Sequence, residues 1–260
     1  MADRGEPFAC LTCYDATTAK WLERAGVHVL LVGDTAAEVI LGHPNTLHMP
    51  LDLAIALTAA VKRGAPGTVV MGDMPFMSYQ ASDESALTNA SRFMVDGRAD
   101  IIKIEADRSF APLISKMARA GVPVCGHVGS KPQQSGLTGG YASAGRTKSQ
   151  AQRVIDDAMA LEDAGCVMLL IEATPPEVAD AVLERTNVPV IGIGAGPDCH
   201  GQIVVLQDLL GLTDRQPPFA EPVADLGASL KEAAEHWVRR VFARDVTSHR
   251  YQMRDEPTKD

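Results

Sequence analysis

The chain has 260 residues and a formal net charge of −9. That balance excludes a non-specific nucleic-acid binder, which needs a basic stripe to displace counterions. Hydrophobic residues at 46% and charged residues at 22% are ordinary for a soluble globular protein, and no apolar run reaches the roughly 18 residues of a membrane span.

In chain order, PFACLTC reads as a strand, followed by an amphipathic stretch from Asp15 to Ala25 and a second strand, HVLLVGD. LDLAIALTAAVKR, from Leu51 to Arg63, has helical length and is closed by GAPG before TVVMGD. Ser82 is placed to cap SDESALTNASRFMVDG, which leads into DIIKIE. SFAPLISKMARAG, PVCGHVG, SQAQRVIDDAMALEDAG, CVMLLIE, PPEVADAVLERTN, VPVIGIGAG and a weaker IVVLQDLLGL complete the alternation. Eight near-continuous apolar strands with helices between them describe an α/β fold, a single (β/α)8 TIM barrel over residues 1–243 with a polar C-terminal tail at 244–260. The interval from Ser130 to Thr147, rich in Gly, Ser and Pro, is expected to be a lid over the site.

Five of these runs end in a group able to bind a metal or move a proton: Asp34, Asp73, Lys103 with Glu105, His127 and Glu172. Barrel active sites lie at the C-terminal ends of the strands, so all of these should meet in one cavity. Lys103 and Glu105 share a strand face because side chains alternate. Gly33, Gly72 and Gly126 precede Asp34, Asp73 and His127, and are expected to leave room for a ligand near the backbone. Asp34, Asp73 and Glu105 form a hard oxygen set suited to Mg²⁺; the competing role for one or two of them is capping a helix or pairing with Lys103. Asp73, beside Gly72, is expected to serve a ligand rather than the core.

Glu172 ends an apolar run, where desolvation suits a general base taking a proton alpha to a carbonyl; the competing role is capping the helix ahead of Pro175 and Pro176. His127 is a candidate to orient a substrate oxygen or shuttle a proton. GIGAG (192–196) is not a dinucleotide loop, since Pro197 interrupts the spacing, and reads as a glycine-lined pocket border. Cys125 lies in a strand rather than a mobile loop, which argues against a nucleophile. The Cys10–Cys13 pair lacks the partners of a zinc site, and the five cysteines fit reduced thiols in a cytoplasmic protein. MADRGE, at the start, carries no secretory signal pattern.

The motifs TCYD (12–15), VGDT (32–35), GHPNTL (42–47), VKRGAP (61–66), GDMPFMSY (72–79), IKIE (102–105), PVCGHVGSKPQ ending on Gln133, GGY (139–141), IEATP (171–175) and PVIGIGAG (189–196) together resemble the ketopantoate (3-methyl-2-oxobutanoate) hydroxymethyltransferase family, from about Leu11 to Leu212. The resemblance implies a barrel of the phosphoenolpyruvate/pyruvate superfamily. It also implies transfer of a hydroxymethyl group from 5,10-methylenetetrahydrofolate to C3 of 3-methyl-2-oxobutanoate through a Mg-stabilised enolate. By motif, Asp34 and Asp73 would bind Mg²⁺ and meet the substrate, with Glu105 reaching the metal directly or through water. Thr35 would help hold the keto-acid carboxylate, Lys103 and His127 would contact substrate, and Glu172 would be the base. A homo-oligomer, decameric as in the family, is implied too.

The chain departs from the family at several positions: Thr35 stands for Ser, Ala37 for Gly and Leu57 for His, while His200 and Gln207 stand where the family reads Asp and His. Two other readings stay open. One is a diverged member performing Mg-dependent aldol-type chemistry on another 2-oxo acid or aldehyde donor, and the other is a non-catalytic ligand-binding barrel.

Overall fold

The computed structural model describes residues 5–214, 216–246, 251, 253 and 254. Eight parallel strands close into one barrel in sequence order: β1 (Phe8–Thr12), β2 (Val29–Val32), β3 (Val69–Asp73), β4 (Ile101–Glu105), β5 (Val124–Gly129), β6 (Met168–Glu172), β7 (Val190–Ile193) and β8 (Gly201–Val204). The strands are built from β-branched and leucine runs that can be buried on both faces.

The helices are α1 (Ala16–Arg24), α2 (Ala36–Val39), α3 (Leu51–Gly64), α4 (Asp83–Val95), α5 (Ala111–Arg119), α6 (Ser135–Thr138), α7 (Lys148–Asp163), α8 (Pro176–Leu183), α9 (Leu206–Leu209) and α10 (Leu226–Phe242). Side-chain caps start several of them. Asp15 accepts from the Thr18 amide, Ser82 from the Ser85 amide, and Thr147 and Gln150 form a reciprocal capping box on α7. Each such cap is worth about 1 kcal/mol.

Strand alternation sorts the core into two layers. Phe8, Cys10, Val29, Leu31, Met71, Cys125, Leu170, Ile191 and Ile203 fill the barrel interior. The opposite faces, with Leu30, Val70, Ile102, Ile104, Val124 and Leu169, pack against the helices. Cys10 and Cys13 fall into different layers, three residues apart and so on opposite faces. All five cysteines are free and buried.

The eighth strand is shorter and earlier than IVVLQDLLGL implies. It pairs with β1 from Phe8↔Gly201 to Leu11↔Val204. It stops there because the Leu206 amide donates to the Thr12 hydroxyl at 2.9 Å instead of extending the ladder, and Leu206–Leu209 turns helical. Gly201 is needed at its start, since a Cβ there would lie 2.3 Å from the Phe8 ring.

The Ser130–Thr147 segment is partly an ordered wall. A 3-10 turn at Pro132–Gln134 and α6 follow β5, with Ser130, Gln133 and Ser135 buried. Both ends are pinned to the end of β6, Ser130 N donating to Glu172 O at 2.8 Å and Ala144 N to Ala173 O at 3.0 Å. Residues 136–143 are exposed. Helix α10 buries none of its residues, and most of 244–260 lies outside the described residues. Among the described residues no helix is long and apolar enough to cross a membrane.

Candidate active site

The register of the sheet assembles the site. Asp73 pairs with Lys103, Glu105 with His127, and Gly129 with Glu172, so adjacent strand ends deliver these groups side by side to the C-terminal mouth. Inward positions run Met71–Asp73, Ile101–Lys103–Glu105, Cys125–His127 and Met168–Leu170–Glu172, each two residues apart as the pleat requires. Asp34 lies beyond the end of β2, in a turn closed by Ala36 N donating to Gly33 O at 3.1 Å. Asp34, Thr35, Asp73, Lys103, Glu105, His127 and Glu172 all line one cavity, with Thr12, Gly33 and Leu170 among the other walls. Its water-accessible space is about 50 Å³, room for a handful of waters at roughly 10–15 Å³ each. Only a small ligand fits inside, and anything larger must act from above the mouth.

The glycine expectation holds at one position of three. Gly33 sits at an inward position, where a Cβ would meet only ordinary contacts from Leu31 and Asp73. Gly72 and Gly126 cannot face the ligand, because Asp73 and His127 beside them already do. An added Cβ would lie 2.6 Å from the Phe93 ring at Gly72 and 2.9 Å from Leu161 at Gly126. These two glycines admit α4 and α7 instead. The GIGAG segment likewise does not border the pocket with glycine. Gly194 and Gly196, at φ +58 and +93, make room for Phe219 and Pro176, and Ile193 is the segment's lining residue.

Lys103 donates to both oxygens of Asp73, at 2.8 and 2.7 Å, and the pair is almost wholly buried. The Asp34 amide adds a third contact to Asp73 Oδ2 at 3.2 Å. Asp73 is therefore a structural partner as well as a cavity group, which strand-end position alone did not reveal. Burial, followed by the charge of Asp73, pushes Asp34 up to about 8. Burial and then the charge of Asp34 raise Glu105 well above its usual range. Burial works against the Lys103 ammonium, yet Asp73, Asp34 and Glu105 outweigh it and hold its pKa above the ordinary value. Three carboxylates thus surround one ammonium in a place water barely reaches, and the cavity is short of positive charge.

His127 is held neutral by burial and by the charge of Lys103. Its Nε2 lies 3.3 Å from Glu172 Oε2 and its Nδ1 lies 3.9 Å from Glu105 Oε1, but neither ring nitrogen nor Glu105 Oε1 has an aligned hydrogen-bond partner. Buried polar atoms without partners are rare in native proteins and mark places where a ligand or ion completes the bonding. Glu172 keeps 20% of its side chain exposed, more than the run CVMLLI before it implies. It does not cap α8, whose N-cap is Pro175 without a side-chain bond. Ala173 holds φ +48, a left-handed conformation costing on the order of 1 kcal/mol for a residue with a Cβ, and Ala173 N donates to Ile193 O at 2.8 Å. This strained, pinned turn fixes where Glu172 points.

A divalent cation fits the donor set. Among the described residues no three His, Cys, Asp or Glu side chains converge closely enough to enclose an ion. That agrees with an ion taking one or two carboxylate oxygens and filling its other positions with water and substrate, the habit of Mg²⁺. The shortage of positive charge and the partnerless Glu105 Oε1 point the same way.

Sequence reasoning missed Gln133, whose buried amide touches both Asp34 and Met74. Its only signal was its place in PVCGHVGSKPQ. Of the positions that differ from the family pattern, Thr35 lines the cavity. Ala37 is buried in the core cluster away from it, Leu57 packs against that same cluster, and His200 accepts from the Val190 amide at 3.0 Å, at the opposite end of β7. Cys125 is fully buried and its thiol is pushed up by burial, which leaves it unsuited to nucleophilic attack.

Residues 1–248 match the Ketopantoate hydroxymethyltransferase family. The chain is 47% identical over 224 residues to the 3-methyl-2-oxobutanoate hydroxymethyltransferase of Syntrophobacter fumaroxidans, covering 86% of this chain and 79% of that protein. It is 40% identical over 259 residues to the same-named protein of Geobacillus kaustophilus, covering 98% and 93%. Solved structures share the fold at low identity. Phosphonopyruvate hydrolase in complex with oxalate and Mg²⁺ has a TM-score of 0.60 at 16% identity, covering 93% of this chain and 83% of that one. 2,3-Dimethylmalate lyase, a PEP mutase/isocitrate lyase superfamily member, has a TM-score of 0.61 at 17%, covering 93% and 84%.

Proposed function

The chain belongs to the ketopantoate hydroxymethyltransferase family, and from that premise we propose that it transfers a hydroxymethyl group from 5,10-methylenetetrahydrofolate to C3 of 3-methyl-2-oxobutanoate, in pantothenate synthesis. The observation that carries this reading is the single small cavity in which Asp34, Asp73, Glu105, Lys103, His127 and Glu172 meet. With water, the reaction gives 2-dehydropantoate and tetrahydrofolate. Glu172, at the open side of the cavity, takes the C3 proton, and the resulting enolate carbon bonds to the one-carbon unit. Neutral His127, its ring nitrogens without aligned partners and 3.3 Å from Glu172, orients a substrate oxygen or shuttles a proton. The Lys103 ammonium offsets the negative charge that develops on the substrate, and Thr35 meets its carboxylate.

Asp34 and Asp73 would hold Mg²⁺, with Glu105 reaching it directly or through water and Asp73 sharing oxygens already bonded to Lys103. A bound Mg²⁺ supplies Lewis-acid polarisation of a chelated ketone. The folate donor is too large for the cavity and reaches C3 from the mouth, where residues 136–143 and Phe76 are exposed. A cytoplasmic homo-oligomer, decameric by family resemblance, belongs to the same reading. The exposed Leu230, Trp237 and Val238 of α10 are apolar surface consistent with assembly.

The test is exchange of the C3 proton of 3-methyl-2-oxobutanoate in deuterated water, without any donor. Exchange that depends on Mg²⁺, followed by product formation when 5,10-methylenetetrahydrofolate is added, is the expected result. Binding without exchange across a panel of 2-oxo acids would leave only the ligand-binding barrel. Exchange confined to another acid would favour the diverged reading.

The same panel probes Thr35. Its side chain makes no capping bond at the start of α2 and lines the cavity, so its methyl group takes ligand space. One methyl in a tight pocket is worth roughly 1–3 kcal/mol, about 10–200-fold between substrates. Thr35→Ser is expected to re-rank the 2-oxo acids by exchange rate in favour of bulkier ones. Ala37→Gly, buried away from the cavity, is expected to leave the order unchanged. An unaltered order in Thr35→Ser would remove this position from substrate choice.

A further inference from the structure

Gln133 has every hydrogen-bonding position of its buried side-chain amide occupied. Nε2 donates to Asp34 Oδ2 at 2.9 Å and to Met74 O at 3.0 Å. Oε1 faces the Tyr79 hydroxyl and Gln80 Nε2, each at 3.0 Å, the Tyr79 proton being shared with Glu105 O at 2.9 Å. A flipped amide would set oxygen against the Asp34 carboxylate and the Met74 carbonyl, so the network permits one orientation. The backbone of the same residue also acts, its amide donating to Glu105 Oε2 at 3.0 Å. One residue on the turn after β5 therefore grips the ends of β2, β3 and β4 together.

This grip selects oxygens. On Asp34 it occupies Oδ2 and on Glu105 it occupies Oε2, while Glu105 Oε1 is buried without a partner. Each carboxylate then has one oxygen weakened as a ligand by a bond from Gln133 and one that Gln133 leaves free. Ca²⁺ takes six to eight oxygens and often both oxygens of a carboxylate, at about 2.3–2.6 Å. Mg²⁺ demands six at about 2.0–2.1 Å and takes carboxylates through single oxygens.

We propose that Gln133 is a positioning residue that makes Asp34 and Glu105 one-oxygen ligands and so selects a small octahedral cation over a larger one. This rests on the reading of Asp34 and Glu105 as ligands of a divalent cation. No chemistry of the substrate enters it, and Gln133 itself touches neither substrate nor ion.

The experiment measures Mg²⁺, Mn²⁺ and Ca²⁺ affinities by calorimetry on cation-stripped protein, for the unaltered chain, Gln133→Met and Gln133→Glu. Methionine keeps the volume and removes the bond to Asp34. Glutamate keeps acceptors for Tyr79 and Gln80, turns a donor into an oxygen facing Asp34, and adds a possible ligand. Partners behind metal ligands typically change affinity about 10–100-fold when altered. The preference for Mg²⁺ over Ca²⁺ is expected to fall by about that factor in both variants, with the larger drop in Gln133→Glu. If Gln133→Met does not fold, Gln133→Glu carries the comparison alone. Equal losses for all three cations, or an unchanged ratio, would mean the amide only packs the mouth, and the proposal fails while the ligand reading stands. An unaltered chain that binds none of the three cations overturns both.

Discussion

Glu172→Gln is expected to keep the fold and the binding of the 2-oxo acid while losing exchange of the C3 proton by about 100- to 10,000-fold, the usual contribution of a positioned general base. The amide preserves the shape of the side chain, its place at the end of β6 and the strained Ala173 turn that aims it. What it removes is the ability to accept and hold a proton. The loss should therefore fall on turnover, with affinity for the oxo acid measured by calorimetry changing little, the pattern of a group that acts only in the chemical step. A second carboxylate cannot readily take over. Asp34 and Glu105 are buried behind the mouth, and Asp73 is bonded to Lys103 through both oxygens. His127 is the one remaining candidate, because its ring nitrogens lack aligned partners and burial keeps it neutral. Wild-type exchange in Glu172→Gln would move the base to His127. Loss of exchange together with loss of oxo-acid binding would instead make Glu172 a binding group.

Most of the barrel was legible in the sequence because parallel strands covered on both faces must be continuous apolar runs, and seven of the eight stood out as such. The eighth did not, because Gly201 and Gln202 are poor strand residues kept there by contact with Phe8 and by pairing with β1. Such pairing is a tertiary fact that overrides local propensity. The convergence of Asp34, Asp73, Lys103, Glu105, His127 and Glu172 was legible for a similar reason, since each lies within two residues of the C-terminal end of a strand, and strand ends share one face of the barrel.

Orientation was harder to read than position. A period of two decides that Gly72 and Gly126 face the helices, a deduction available from Asp73 and His127 alone, whereas no period governs the turn that presents Gln133. A loop amide with four partners, three of them buried, looks, in sequence, like any polar loop residue. The sequence offered Lys103 as a partner for one or two of the acids without saying which, because the stagger that sets Asp73 beside Lys103 comes from barrel closure and not from either strand by itself.

That pairing changes what Asp73→Ala should do. Strand-end position beside a glycine led to the expectation that this carboxylate serves a ligand rather than the core, which implies a fold that survives its removal. In the structure Lys103 is buried and both Asp73 oxygens bond to it. Removing one partner of a buried pair leaves an uncompensated charge and typically costs about 3–5 kcal/mol. Asp34 and Glu105 also draw on Lys103, so part of this cost is offset if they move toward the freed ammonium. In doing so they would abandon the oxygens they present to a cation.

Asp73→Ala is therefore expected to lower stability toward the bottom of that range and to abolish Mg²⁺ binding at the same time. The discriminating measurement is a double-mutant cycle with Lys103→Met, read by the urea midpoint and by Mg²⁺ calorimetry. If the pair is structural, Lys103→Met restores part of the stability lost in Asp73→Ala, because an apolar side chain needs no counter-charge, while Mg²⁺ binding stays absent. If Asp73→Ala unfolds at the wild-type midpoint and loses only the cation, Asp73 is a ligand first and the ion pair adds nothing to the fold. Additive losses across the cycle would show that the two residues act separately despite bonds of 2.7 and 2.8 Å, which the burial of both makes the least expected of the three results.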